Sequence, residues 1–209
     1  MFYNLGVSES GSSNPAYLEP YLQAAGKHGG GFGSLLWASP KSQATRFRAL
    51  TRACRFKGKM VLDAGCGRGD LLDFLEESGD GPEHYVGLEA VEALAAAAEE
   101  RHTRERAMIV RGDFVKEPVR LFVGADIVVF SGSLNTLGLA EFERTIKTGF
   151  EAATEMLVFN FLCSERLAGA EHLSWHRRED VERLMGTLTL DFDLLDDYLD
   201  GDATVVARR

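Results

Sequence analysis

The stretch from Lys59 to Leu72, KMVLDAGCGRGDLL, limits the folds open to this chain. Met60, Val61 and Leu62 form a short apolar run, and Asp63 follows it. Glycines then stand at Gly65, Gly67 and Gly69, and an apolar-periodic segment begins at Leu71. Such a pattern reads as a buried strand, a tight turn and the start of a helix. Glycine permits a positive φ and lets a ligand lie against bare main chain. The helix N-terminus beyond the turn offers unpaired N–H groups. The turn is therefore expected to hold a nucleotide or a nucleoside.

The spacing narrows the ligand. In the dinucleotide fingerprint G-x-G-x-x-G the third glycine would fall at position 70, which is Asp70. No P-loop lysine follows the turn, which disfavours ATP chemistry. A carboxylate beside the turn suits a ligand with an amino group and sugar hydroxyls and no phosphate. Asp63-Ala64-Gly65-Cys66-Gly67-Arg68-Gly69 resembles motif I of the class I S-adenosylmethionine (SAM) methyltransferases. That resemblance implies SAM as cofactor, S-adenosylhomocysteine as product, and Asp63, Ala64, Gly65, Cys66 and Gly67 in the cofactor site. The alternative is a structural glycine turn in another α/β protein.

The chain beyond alternates strand and helix, which argues for a parallel sheet with crossover helices. Strands are expected at 59–64, 84–89, 107–111, 125–130 and 156–162. Helices are expected near 69–78, 91–102, 139–153 and 175–185. The last two apolar segments, 188–195 and 203–208, resemble the terminal strand pair of the methyltransferase fold. The resemblance thus implies an α/β, Rossmann-like, doubly wound seven-stranded sheet, mostly parallel with an antiparallel last strand and helices on both faces.

Open α/β sheets bind ligands at the carboxyl ends of their strands, so the residues ending each strand carry the argument. Strand two ends at Glu89, followed by Ala90, and lies 20 residues after Gly69. A carboxylate there can accept both ribose hydroxyls, the job of an acid at this position in the family. Its other reading is a charge placed against the dipole of the next helix. After strand three come Gly112-Asp113-Phe114. The resemblance implies that Asp113 takes the adenine amino group and the Phe114 N–H the ring nitrogen; a capping turn is the plainer reading.

Strand four runs into Ser131-Gly132-Ser133-Leu134-Asn135. The Asn- or Asp-Pro-Pro-aromatic motif of many base and glutamine methyltransferases is absent there. Carbonyls around Ser131 and Gly132 can accept from the SAM amino group, and Asn135 can orient a substrate or cap a helix. Any base is sought among His28, His172, His176, Asp197 and Tyr198. His172 and His176 would share a face of a helix. A metal site is not expected, because no third ligand accompanies that pair. His176, Tyr198 and Asn135 are the catalytic candidates.

Ser39-Pro40 opens a helix to about Arg55, with Ser39 as N-cap. Gln43 and Arg46 share one of its faces. The segment Ser42–Phe47, with Gly33–Trp37 before it, resembles the lead-in of a group of small bacterial SAM methyltransferases. In that setting Arg46, with Gln43 beside it, could pair with the SAM carboxylate; a solvated helix face is the alternative.

Residues 1–38 read as a cap, and 39–209 as the methyltransferase domain. Phe2, Tyr3, Tyr17, Tyr21, Phe32 and Trp37 recur in the cap, too many aromatics for a disordered tail. A helix is expected from Pro15 to Ala25, capped by Asn14. The segment is either a lid over the ligand or a packing arm. The formal charge of −9, from 23 Lys+Arg against 32 Asp+Glu, argues against nucleic acid as partner. No apolar run reaches the ~20 residues of a membrane span. Cys54, Cys66 and Cys163 form no disulfide or metal pattern, which suits a bacterial cytoplasm. The expected acceptor is a small molecule methylated on O or N, by a monomer or homodimer. A protein side chain as acceptor, a non-catalytic SAM-binding module and an NAD-linked oxidoreductase are the rival readings.

Overall fold

The computed structural model describes residues 14–102, 107–165, 170 and 172–209. Phe2 and Tyr3 of the expected cap lie outside the described residues. Seven strands form one sheet, β1 (Met60–Ala64), β2 (His84–Glu89), β3 (Ala107–Arg111), β4 (Ile127–Phe130), β5 (Met156–Leu162), β6 (Phe192–Leu195) and β7 (Asp202–Arg208). Their order is β3-β2-β1-β4-β5-β7-β6. β1 pairs in parallel with both β2 and β4, whereas β7 runs antiparallel to β5 and β6. The chain therefore reverses its direction of travel across the sheet between β1 and β4. That switch point opens a crevice at the strand tips.

Alternation along the strands divides the core between two faces. Val61, Tyr85, Ile127 and Val129 pack with Phe47 and Leu50 of α2 (Pro40–Ala53) and Leu71 and Leu75 of α3 (Asp70–Glu77). Leu62, Val86, Val128 and Phe130 pack on the other face. They meet Phe142 and Ile146 of α5 (Leu139–Ala152) and Leu184 and Met185 of α6 (Arg178–Gly186). A helix before them, α1, spans Glu19–His28, and α4 spans Glu92–Arg101. Ser39 caps α2 in a reciprocal box with Ser42, as its position before Pro40 suggests.

Three element starts fall three or more residues later than expected, each because the backbone donors are used elsewhere. α1 begins at Glu19, and Asn14 does not cap it. The Leu18 and Glu19 N–H groups both turn back to the Pro15 carbonyl, and Pro20 sits in the first helical turn, where its missing N–H is not needed. α6 begins at Arg178, not Trp175, because the Ser174 and His176 N–H groups donate to Asn135 and Leu162 carbonyls. β6 begins at Phe192, because Leu188 and Thr189 donate back to Met185 and finish the helix. His172 and His176 therefore share no helix face, which corrects the pairing expected from their spacing. Among the described residues no helix is long and apolar enough to cross a membrane.

Candidate functional site

Four strand tips converge on one cleft. At the end of β1, Asp63 is buried, and its Oδ2 accepts a hydrogen bond from the Tyr85 hydroxyl at 2.7 Å. Its Oδ1 has no partner among the described residues. At the end of β2, Glu89 accepts from the Gly67 N–H and the Val91 N–H, each at 2.8 Å, and so ties the glycine turn to the second strand. Beyond β3, Asp113 accepts from the Val115 and Lys116 N–H groups, while its Oδ2 receives the Tyr17 hydroxyl at 2.7 Å. Beyond β4, the Gly132 N–H donates to Asn160 Oδ1 at 2.9 Å, and the Asn160 amide donates to the Ser131 hydroxyl.

Glycine is needed at two of these positions. Gly65 has φ 81°, and a Cβ there would run into the Ser133 side chain, whose hydroxyl donates to the Ala64 carbonyl. Gly132 has φ 77°, and a Cβ would sit 2.8 Å from the Trp37 ring. Both conformations belong to the left-handed region that side chains disfavour.

Opposite this floor stands a roof from the N-terminal segment. Tyr17, Tyr21, Leu35 and Trp37 line the cleft together with Gly65, Gly67, Glu89, Ala90, Asp113, Phe114, Ser131 and Gly132. Tyr21 donates to the Gly132 carbonyl at 3.4 Å, so two tyrosines bond across the opening. The space enclosed amounts to about 620 Å³, open solvent at the mouth included. An inner recess continues past Leu35 and Trp37 to Gln43, Asp63, Cys66 and Asp70.

The cleft is acidic, and burial governs its charges. Burial pushes the Asp63 carboxyl up to about 7; the Tyr85 hydroxyl opposes the shift, and the Glu89 and Asp70 charges add to it. Burial also raises Glu89, against the stabilising N–H groups of Val91, Gly67 and Ala90. Burial opposes ionisation of Asp70, but Arg68, Arg101 and the Gln43 amide together hold it below the usual carboxylate range. Burial raises Tyr17 and Tyr21, with the Asp113 charge acting on the first and the Glu89 charge on the second, so both keep their protons. Burial likewise raises the Cys66 thiol, leaving it a packing residue.

The other expected site residues lie elsewhere. Arg46 is buried, but Nε and one terminal nitrogen engage Asp202, and its guanidinium lies 4.8 Å from the Trp37 ring centre. Its charge is therefore committed to the chain itself. Gln43 reaches the recess but donates to Asp70 at 3.2 Å. None of the three catalytic candidates lines the cleft. The Tyr198 hydroxyl bonds Asp202 and Thr204. The His176 ring stacks on Phe142 with centroids 3.9 Å apart and lines a separate groove with Trp175. Asn135 is buried, its Oδ1 without a partner among the described residues. Asp197 is exposed and pairs with Arg52. No group of three potential ligands for a metal ion occurs among the described residues.

Sequence reading missed Asn160, Tyr85 and Asp202. The one signal for Asn160 is a lone amide within the apolar strand MLVFNFL. The aromatics of the roof were visible, but not their partners.

A parallel sheet with this order, an antiparallel β7 and a glycine turn between two acid-tipped strands define the class I SAM-dependent methyltransferase fold. Residues 61–154 match the family described as a methyltransferase domain. Solved structures share the fold at low identity. Magnesium protoporphyrin IX methyltransferase from Synechocystis PCC 6803, with bound S-adenosylhomocysteine, is 16% identical, with TM-score 0.61 over 81% of this chain and 82% of that one. A SAM-dependent methyltransferase from Archaeoglobus fulgidus is 16% identical, with TM-score 0.63 over 82% and 95%. A DhpI–SAM–HEP complex is 14% identical, with TM-score 0.66 over 95% and 100%. No curated protein sequence matches. Residues 61–154 thus match a methyltransferase domain, within a chain whose fold is that of SAM-dependent methyltransferases.

Proposed function

We propose that the roofed cleft binds SAM and transfers its methyl group to an O or N nucleophile of a small-molecule acceptor. The observation that carries this reading is the pair of tyrosines bonded across the opening, Tyr17 to Asp113 and Tyr21 to Gly132. A cleft closed in this way fits a small guest better than a stretch of polypeptide. Residues 1–38 act as its lid, and 39–209 carry the chemistry.

The residues present fit SAM. Glu89 keeps acceptor capacity for the ribose beside its bonds from the backbone N–H groups. Asp113 and Phe114 flank the adenine, and the bare turn from Gly65 to Gly67 leaves room for the ligand to lie against main chain. Asp63, with its unpartnered Oδ1, lines the recess where an amino-acid arm would end. SAM supplies a methyl group on a positive sulfur, which an in-line nucleophile displaces. The chain contributes alignment, worth several kcal/mol and at most about 7–11. Acids around a cation supply charge complementarity. Tyr17 and Tyr21 hold their protons, so they donate to the floor and do not serve as bases. The acceptor brings a nucleophile with its own free lone pair.

Titration calorimetry with SAM and S-adenosylhomocysteine tests the cofactor site. Glu89→Ala is expected to weaken SAM by about 1–3 kcal/mol, the scale of losing a buried charged acceptor. Unchanged affinity would remove Glu89 from the ribose site. A metabolite library screened for S-adenosylhomocysteine release tests the acceptor class, and turnover on peptides alone would overturn it. A 39–209 fragment is expected to unfold cooperatively but turn over poorly, because the aromatic roof is gone. Full activity of the fragment would reduce the lid to packing. The acidic balance of the chain and its free thiols agree with a bacterial cytoplasmic enzyme, monomeric or homodimeric, with no nucleic-acid partner.

A further inference from the structure

We infer that Tyr85 is a positioning residue that makes cofactor binding proton-linked, by holding Asp63 so that it exchanges a proton for the ammonium group of the incoming ligand. The inference rests on the SAM reading of the cleft.

The geometry is asymmetric. One Asp63 oxygen is fixed by the Tyr85 hydroxyl at 2.7 Å. The other is buried without a partner among the described residues, in a side chain that lines the recess. An ionised carboxylate in that place is poorly solvated and half-satisfied. The groups that bear on it are Tyr85 and Glu89 from β2, Cys66 in the turn, Asp70 from α3 and the Gln43 amide from α2. Glu89 and Asp70 repel a charge at Asp63, while Tyr85 alone among the titratable groups favours it. With its carboxyl near 7, Asp63 is close to half protonated in the free protein at neutral pH. A ligand ammonium at Oδ1 supplies the missing counter-charge. The neutral acid then gives its proton to solvent and the carboxylate pairs with the ammonium, so charge and protons balance.

The consequence is selectivity with a pH signature. SAM affinity rises about fivefold from pH 6 to pH 7, and the profile turns over where the ligand's own α-amino group deprotonates, about 7.7–8.0. Calorimetry of the full-length protein in buffers of different ionisation enthalpy measures the released proton directly. About half a proton per SAM or S-adenosylhomocysteine is expected at pH 7 and about nine-tenths at pH 6. The control is 5′-methylthioadenosine, which has the adenosine but no ammonium. It reports any contribution from Glu89 at the ribose and is expected to release far less.

Tyr85→Phe removes the one stabilising hydroxyl. Its midpoint is expected to move to higher pH, with release at pH 7 approaching a whole proton. Asp63→Asn is expected to abolish the difference between the two ligands. Equal release with SAM and 5′-methylthioadenosine in the unaltered protein overturns the inference, as does a Tyr85→Phe profile with an unmoved midpoint in a folded variant. If Tyr85→Phe does not fold, the wild-type comparison and Asp63→Asn decide. No binding of SAM or S-adenosylhomocysteine at any pH would sink the cofactor reading itself, a separate outcome.

Discussion

Asp202→Ala is expected to lower the unfolding free energy by about 3–5 kcal/mol, the cost of stranding one member of a buried ion pair. Asp202 opens β7 with its side chain fully enclosed, and Arg46 reaches it from α2 with a side chain only 10% exposed. Removing the carboxylate leaves a largely buried guanidinium with no counter-charge. Tyr198 would keep a second partner in Thr204, so its hydroxyl adds little to the loss. Burial raises the Asp202 carboxyl despite the neighbouring Arg46, which shows how much of the pair's attraction desolvation consumes. The double replacement Arg46→Met with Asp202→Leu should therefore recover most of the loss. Urea unfolding followed by circular dichroism measures both. A single-variant loss under about 1 kcal/mol would mean that Arg46 finds another partner or solvent. The pair also bears on the cleft, because the Arg46 guanidinium lies over the Trp37 ring that lines it.

That pair shows where sequence reading stops. Gln43 and Arg46 share a helix face by spacing, and the structure buries both. Spacing gives the face but not the partner, which lies 156 residues away in sequence. The positions of the glycine turn and of the acids at 63, 89 and 113 were legible because they are set locally: a strand ends, a turn needs positive φ, and a carboxylate follows. A seven-stranded, mostly parallel sheet with an antiparallel last strand was legible from alternation together with family resemblance. The delayed starts of α1, α6 and β6 were not, because each depends on a carbonyl that captures the N–H groups, in α6 from distant segments. The Tyr17 and Tyr21 contacts with the floor depend on how α1 lies across the strand tips. No periodicity within 1–38 encodes that.

Asp63→Asn is expected to stabilise the ligand-free protein at pH 8 by about 2–4 kcal/mol while weakening SAM. The sign follows from the two protonation states. An unfolded Asp ionises near 3.9, whereas the buried carboxyl holds its proton to about 7. A folded-state value above the unfolded one gives stability that is full below the lower value and is lost as pH rises through the upper one. At about 1.4 kcal/mol per unit, that loss reaches about 4 kcal/mol once Asp63 is ionised in the fold. Asparagine carries no charge, and its carbonyl oxygen can still accept from Tyr85, so the variant escapes the loss. At pH 5 the carboxyl is neutral in the fold, and the gap between the two proteins should shrink to about 1–2 kcal/mol. Urea unfolding without ligand at pH 5 and pH 8 reads the difference, and a gap that does not widen with pH would contradict a buried, near-neutral carboxyl. Were the gap to widen, the strain of a charge held without a partner would account for both observations. It costs the empty protein stability, and it is relieved when an ammonium group fills the recess.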